Sequence, residues 1–308
     1  MSKNSDKILS VNSEDVCPKN EADKRCAPGV RFDAGSCIEL SILVKMAEAY
    51  NKENNNKEGS ILLSKNVETL NPRKYKKYLV NEFNKRMGDK CTTQKCWTEQ
   101  KFVRVMEKQA RDQLQNYTFR PDGPNGRFEW LNTVNIKQVM GQYEKKYPNF
   151  KFLGAVPIDF DEFDDFGIRN LDYKKLVDSG KTKFGVVFNL DEHDESGSHW
   201  VAMYSDFEKG DVFFFDSYGT KPERRIRKLM RRHAEFIQKG LGRQLARADY
   251  NDYNQVRHQY EGSECGVYSI NFILRMARGD NFDDICKSKI PDRKINKCRN
   301  VYFGNTNV

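Results

Sequence analysis

The sequence predicts an α+β fold preceded by a helical region, on three observations. Between residues 38 and 114 the apolar residues recur at helical spacing. A dense run of turn-formers, Arg120-Pro-Asp-Gly-Pro-Asn-Gly126, then marks a boundary. Beyond it, compact runs rich in aromatic and β-branched residues at 184–190, 199–204 and 212–216 read as strands set among helices.

Residues 1–30 are polar and read as a flexible tail; 31–120 form a helical arm, and 121–308 form the α+β domain. In the arm, Ile38, Ile42, Leu43, Met46, Ala47 and Tyr50 define one amphipathic helix. Tyr75, Tyr78, Leu79, Phe83 and Met87 define a second, and Phe102, Val103, Met106, Ala110 and Leu114 a third. Past the boundary, Trp130-Leu-Asn leads into a helix with Val134, Ile136, Val139, Met140 and Tyr143 on its apolar side. Residues 152–160 read as a strand and its exit. The runs 199–204 and 212–216 are separated by a short loop that suits an antiparallel hairpin. A basic helix follows, then an extended segment over 249–259, then a buried helix carrying Val267, Ile270, Ile273, Leu274 and Ala277. Gly262 and Ser263 read as the turn and N-terminal cap of that helix.

Composition bounds the partners. Of 308 residues, 38% are hydrophobic, with 20 Phe and 14 Tyr, enough for a core. No apolar run approaches the roughly 20 residues needed to cross a bilayer, so no membrane association is expected. Residues 1–14 hold no hydrophobic segment and predict no secretory signal, hence an intracellular protein. The eight cysteines are then expected as free thiols. Cys91 and Cys96 are the closest couple, too widely spaced for the usual zinc pairs, so no metal is expected. The net charge of +9 attracts polyanions in a salt-sensitive way. Ten basic residues lie within 221–247, opposite the apolar positions Ile226, Leu229, Met230, Phe236 and Ile237. They read as a solvated helix face, with DNA or polyanion contact as the alternative.

Chemistry centres on Gln259-Tyr-Glu-Gly-Ser-Glu-Cys265-Gly266. A thiol at a helix N-terminus feels unpaired N–H groups that favour thiolate. Gly266, lacking a side chain, would let a substrate backbone approach. His199 opens one strand and Asp216 ends its hairpin neighbour, which brings both to one sheet edge. Gln259 stands six residues before Cys265, far enough for a turn to return its amide to the sulfur. Singly, each of these reads equally as an ordinary structural residue. Together they supply a nucleophile, a base, an orienting carboxylate and an oxyanion donor.

His199-Trp200, Asp216-Ser217, Gln259 and Cys265-Gly266, with the opening Trp130-Leu-Asn, resemble the ubiquitin-like-protease family of cysteine peptidases, which includes the SUMO proteases. The resemblance covers roughly residues 128–280; Glu264 stands where the family usually has Asp. It implies a papain-like or adenain-like core with a mixed, mainly antiparallel sheet and no cofactor. Catalytic roles are implied for His199, Asp216 and Cys265, and an oxyanion hole from the Gln259 side chain and the Cys265 N–H. Trp130 and Trp200 match the residues that flank a narrow channel for glycines, which implies cleavage after Gly-Gly. The arm and residues 152–160 look like the polyprotein-processing proteases of large DNA viruses, which implies structural polyproteins as substrates and a virion or host-cytoplasm setting. Thr133 stands where SUMO proteases place an aspartate. A protease acting on a ubiquitin-like C-terminus, an acetyltransferase of the same fold, and a basic protein with a lapsed site are the alternatives.

Overall fold

Alternation of apolar side chains along three strands sets the architecture, because each strand sends successive residues to opposite faces of the sheet. The structure is a computed structural model that describes residues 16–17, 26–54, 59–64, 71–126, 128–247, 250 and 252–305. It divides into one unit of residues 20–121 and another of residues 1–19 with 122–308.

The smaller unit is built on helices α1 (Leu40–Glu53), α2 (Pro72–Met87) and α3 (Lys108–Tyr117). Helix α2 starts where the Asn71 side chain accepts from the N–H groups of Arg73 and Lys74, with Pro72 in the first turn. Leu43, Met46, Leu79, Phe83, Trp97, Phe102 and Leu114 share one core. The single helix expected over 102–114 is two. A tight 3-10 segment, Lys101–Val105, ends at extended Met106, and α3 starts two residues later. Both pieces face the same core, so the apolar spacing alone could not reveal the break.

In the larger unit five strands run in the order β1-β2-β3-β4-β5. They are β1 (Phe150–Val156), β2 (Lys183–Asn189), β3 (Trp200–Asp206), β4 (Asp211–Phe215) and β5 (Asp252–Tyr253). The outer pairs β1–β2 and β4–β5 are parallel; β2–β3 and the expected hairpin β3–β4 are antiparallel. Ala202, Tyr204, Phe213 and Phe215 point to one face, against α4 (Thr133–Lys146) and α6 (Cys265–Arg278). Val201, Met203, Val212 and Phe214 point to the other, against Ile226, Leu229 and Met230 of α5 (Arg224–Glu235). Each such side chain, fully buried, contributes about 1.5–3 kcal/mol. Along α6 every residue from Cys265 to Ala277 is buried, as befits a helix enclosed on all sides.

Local expectations change in two places. Val134 is 58% exposed, because it falls off the stripe formed by Ile136, Val139, Met140 and Tyr143. Ser263 does not cap α6; its hydroxyl donates to the Glu264 carboxylate, and Glu264 is the cap residue without a side-chain cap bond. The basic segment presents the expected solvated face opposite buried Ile226, Leu229 and Met230, and four of its cations are paired. Arg225 pairs with Glu192, Lys228 and Arg232 with Asp161, and Arg247 with Asp283.

The cysteines overturn the expectation of free thiols. Cys17–Cys298, Cys26–Cys37 and Cys91–Cys96 are disulfides; Cys265 and Cys286 are free. The longest pairing spans 281 residues and is a product of tertiary packing. Val16 sits in the core beside α6, where its carbonyl accepts from the Asn271 amide at 2.7 Å, and this brings Cys17 to Cys298. The tail expected over 1–30 is therefore anchored at Val16 and Cys17, and again at Cys26 and Ala27, which join residues 118–119. Cys91 and Cys96, bonded to each other, offer no thiolate pair to a zinc ion. In denaturant without reductant a thiol reagent is expected to titrate two groups per chain, rising to eight after reduction; eight without reduction would refute the disulfides.

Candidate active site

The antiparallel β3–β4 register pairs Ala202 with Phe215, so the residues just outside the ladder, His199 before β3 and Asp216 after β4, meet at one sheet edge. His199 Nε2 lies 2.6 Å from Asp216 Oδ1, and both residues are buried. The same Asp216 oxygen accepts from the Tyr218 N–H at 2.9 Å, while Oδ2 accepts from the Thr220 N–H at 3.2 Å. Gly219 closes this turn at φ +77°, with the backbone of 255–257 where a Cβ would sit; only glycine serves both demands. Cys265 is close enough to His199 to act on its charge. With Nε2 engaged by Asp216, Nδ1 is the ring nitrogen left for a second partner.

Cys265 is the first residue of α6, at the end of the helix where N–H groups lack partners. Gln259, wholly buried, is fixed to the Asp216 turn from two sides. Its backbone N–H donates to Ser217 O at 2.9 Å, and its Oε1 accepts from Ser217 Oγ at 2.6 Å. That orientation turns Nε2 away from Ser217; one of its hydrogens goes to Glu261 O at 2.7 Å, leaving the second unspent. The loop between Gln259 and Cys265 is held from below by the buried Arg299, whose Nη2 donates to Ser263 O at 3.1 Å.

Electrostatics single out one histidine of four. Burial opposes charge on His199, but hydrogen bonds to Asp216 and Cys265, together with their charges, outweigh it and raise its pKa to about 9. Burial likewise works against the Asp216 carboxylate, yet His199 and the turn N–H groups hold its pKa below the usual value. His233 is lowered to about 3 and His258 to about 4, chiefly by burial. Half-exposed His193 is raised by its hydrogen bond to buried Asp159.

Trp200 is buried and its indole donates to Leu131 O at 2.7 Å, whereas Trp130 is 48% exposed. Both line a cleft of about 400 Å³ with Thr133, Asn189 and His193. At Gly266 a Cβ would stand 3.0 Å from Leu131 Cβ, so the glycine lets Leu131 pack closely against the start of α6. Sequence reasoning missed the residues that hold the site together. Ser217 fixes Gln259. Asn254, fully buried, receives the Asp216 N–H at 2.8 Å and donates to its carbonyl at 2.6 Å. Tyr218 stacks on His199 with centroids 4.4 Å apart. The Asp-Ser-Tyr-Gly string was visible in sequence, but nothing local tied it to residues 254 and 259.

A thiol at a helix start, near an imidazole that a carboxylate orients, is equipped for acyl transfer through sulfur, and the fold and site together define a cysteine peptidase. Residues 186–303 match the Ulp1 protease family, C-terminal catalytic domain. A relative from Acanthamoeba polyphaga mimivirus, described as a thiol protease, is 38% identical over 288 residues, 91% of this chain and 93% of its own length. A SUMO-1 cysteine protease of African swine fever virus is 24% identical over 257 residues, 77% of this chain and 92% of that protein. Two crystal structures of a protease from the same virus share the fold. Their TM-scores are 0.57 and 0.59 at 21% and 19% identity, over 75% and 91% of this chain and 90% and 95% of those chains. The chain belongs to the Ulp1 protease family and is a cysteine protease; the acetyltransferase and lapsed-site readings fall away.

The raised His199 fixes the sign of the pH response. Its charge is present below about 9 and lost above it, so kcat/KM is expected to fall through an alkaline limb near that value. The stability that its pairing contributes is complete below the unfolded value of about 6.5 and disappears as pH rises through about 9. Asp216→Asn is expected to move the alkaline limb to lower pH, and an unmoved limb would contradict the assignment. Ser217→Ala strands the buried Gln259 oxygen, a loss of about 1–2 kcal/mol, and is expected to lower kcat roughly tenfold with little change in KM.

Proposed function

We propose that the chain is an endopeptidase that cleaves after Gly-Gly, with Cys265 as nucleophile, His199 as base and acid, and Asp216 as its orienting partner. The pairing of His199 with Asp216 at one sheet edge, with Cys265 near enough to raise His199 and Gln259 tied to the Asp216 turn through Ser217, carries this reading. Cys265 as thiolate attacks the carbonyl of the residue before the cut. The oxyanion forms beside the Cys265 N–H and the unspent Gln259 Nε2 hydrogen. His199 gives its proton to the leaving amine, then takes one from the water that hydrolyses the thioester. No cofactor enters the reaction.

Gly-Gly selectivity is supported by Trp130 and Trp200 lining the same cleft, as the resemblance to the family implies. The viral origin of the relatives supports a structural or core polyprotein as substrate, cut during virion maturation in an infected host cell. A second reading, cleavage at a ubiquitin-like C-terminus, is favoured by the SUMO-1 protease among the relatives. Thr133 in the cleft, where SUMO proteases place an aspartate, weighs against it. DNA is left out of the proposed function, because four cations of the basic segment already hold carboxylates of this chain.

A fluorogenic peptide series is expected to show turnover of Gly-Gly, at least tenfold less with Ala in either position, and none with Cys265→Ala. Gln259→Ala is expected to lower kcat by about 100-fold to 1000-fold, as for other oxyanion donors. Faster cleavage of SUMO or ubiquitin fusions than of any Gly-Gly peptide would transfer the assignment to the second reading. Turnover indifferent to alanine would remove the glycine channel.

A further inference from the structure

A ladder of rings and cations leads outward from the catalytic imidazole. Tyr218 stacks on His199 at 4.4 Å and 16°. The Arg257 guanidinium lies 5.0 Å from the Tyr218 ring and 4.9 Å from the Tyr260 ring. Lys289 Nζ stands 4.0 Å from the Tyr260 centroid and donates to its hydroxyl at 2.8 Å. Tyr218 and Tyr260 are 37% and 60% exposed, and both cations are exposed.

These two cations are held differently from four of the basic segment. Arg225, Lys228, Arg232 and Arg247 each meet a carboxylate within 2.9 Å. Arg257 and Lys289 form no ion pair among the described residues; Arg257 Nε donates to the Gln259 carbonyl at 2.8 Å. Asp292, which holds the Tyr260 backbone, is committed elsewhere. Its Oδ2 accepts the N–H groups of Tyr260 and Glu261, and its Oδ1 accepts the Tyr268 hydroxyl. A guanidinium between aromatic faces keeps its edge donors free, in the planar fork that a carboxylate fits.

The ladder also lies apart from the cleft of the two tryptophans, since none of its four outer residues lines that cleft. A peptide that reaches Cys265 past Trp130 and Trp200 must leave the sulfur by another side. Tyr218, against His199, borders the sulfur closely enough for a charge on Cys265 to act on its hydroxyl. His199 is also the group that hands a proton to the departing amine, so the leaving segment passes beside it.

We propose that Tyr218, Arg257, Tyr260 and Lys289 form the leaving-group subsite and take an acidic residue in the first two positions after the cleaved bond. This rests on the peptidase reading above and adds to it the charge of the segment released. The two tyrosines hold the cations in place and present a flat apolar floor; the cations supply the attraction. Being exposed, they act through a screened field, so the preference weakens as salt is added.

The test uses quenched-fluorescence peptides with Gly-Gly before the bond and Asp, Ala or Lys in the two positions after it. Wild type is expected to cleave the Asp peptide about tenfold faster, in kcat/KM, than the Lys peptide, equivalent to about 1.4 kcal/mol. That ratio is expected to shrink with salt, to fall to about one in Arg257→Ala/Lys289→Ala, and to invert in Arg257→Glu/Lys289→Glu. Read within each variant, it cancels any loss common to all substrates. The wild-type salt series is a second measurement that needs no variant to fold. Equal cleavage of the three peptides by wild type, or a ratio that survives the double alanine change, overturns the subsite alone. No cleavage of any Gly-Gly peptide overturns the parent reading and the subsite with it.

Discussion

Taking a carboxylate and an imidazolium out of water costs several kcal/mol each unless their hydrogen-bonding positions are filled, on the order given by measured buried pairs. Asp216 and His199 meet that demand at the edge of the sheet. Asp216 accepts the imidazole and two turn N–H groups, and Asn254 clamps its backbone from both sides. The remaining ring nitrogen of His199 is thereby left free of Asp216, with Cys265 near enough to raise the imidazole's pKa. Every other feature of the site is placed relative to this pair. Ser217, the next residue, fixes the amide of Gln259, and Tyr218, the one after, covers the face of the imidazole.

Helix α6 links the pair to the body of the protein. Its first residue carries the thiol, Ser269 one turn on donates to the Trp200 carbonyl, and Asn271 reaches Val16 at the far end of the sequence. The nucleophile thus stands on a helix buried along its length and touching the strand that follows His199. A helix so enclosed has little freedom to shift, which suits a reaction that tolerates displacements well under an ångström. The close approach of Leu131 to Gly266 belongs to the same packing, because it seats the Trp130-Leu-Asn segment against the start of α6.

Charge is organised along two lines. Four cations of the basic segment pair at the surface with Glu192, Asp161 and Asp283. Arg257 and Lys289 rest on tyrosine rings instead and keep their charge toward solvent beside the imidazole. Net charge alone, +9, could not distinguish the two.

The sequence by itself determined the strands and helices that carry the site. Compact aromatic and β-branched runs bounded by turn residues mark strands buried on both faces, so 184–190, 199–204 and 212–216 were legible, as was the apolar helix after Cys265. It also determined that His199 and Asp216 share an edge, because a short loop between two strands forces an antiparallel register. Tertiary structure decided what depends on proximity between distant residues. Cys17 meets Cys298 only because Val16 is buried beside α6; Asn254 and Ser217 act on Asp216 and Gln259 only once β5 lies alongside β4. Local patterns record which face a residue shows to the core, and they carry no information about which distant side chain waits there.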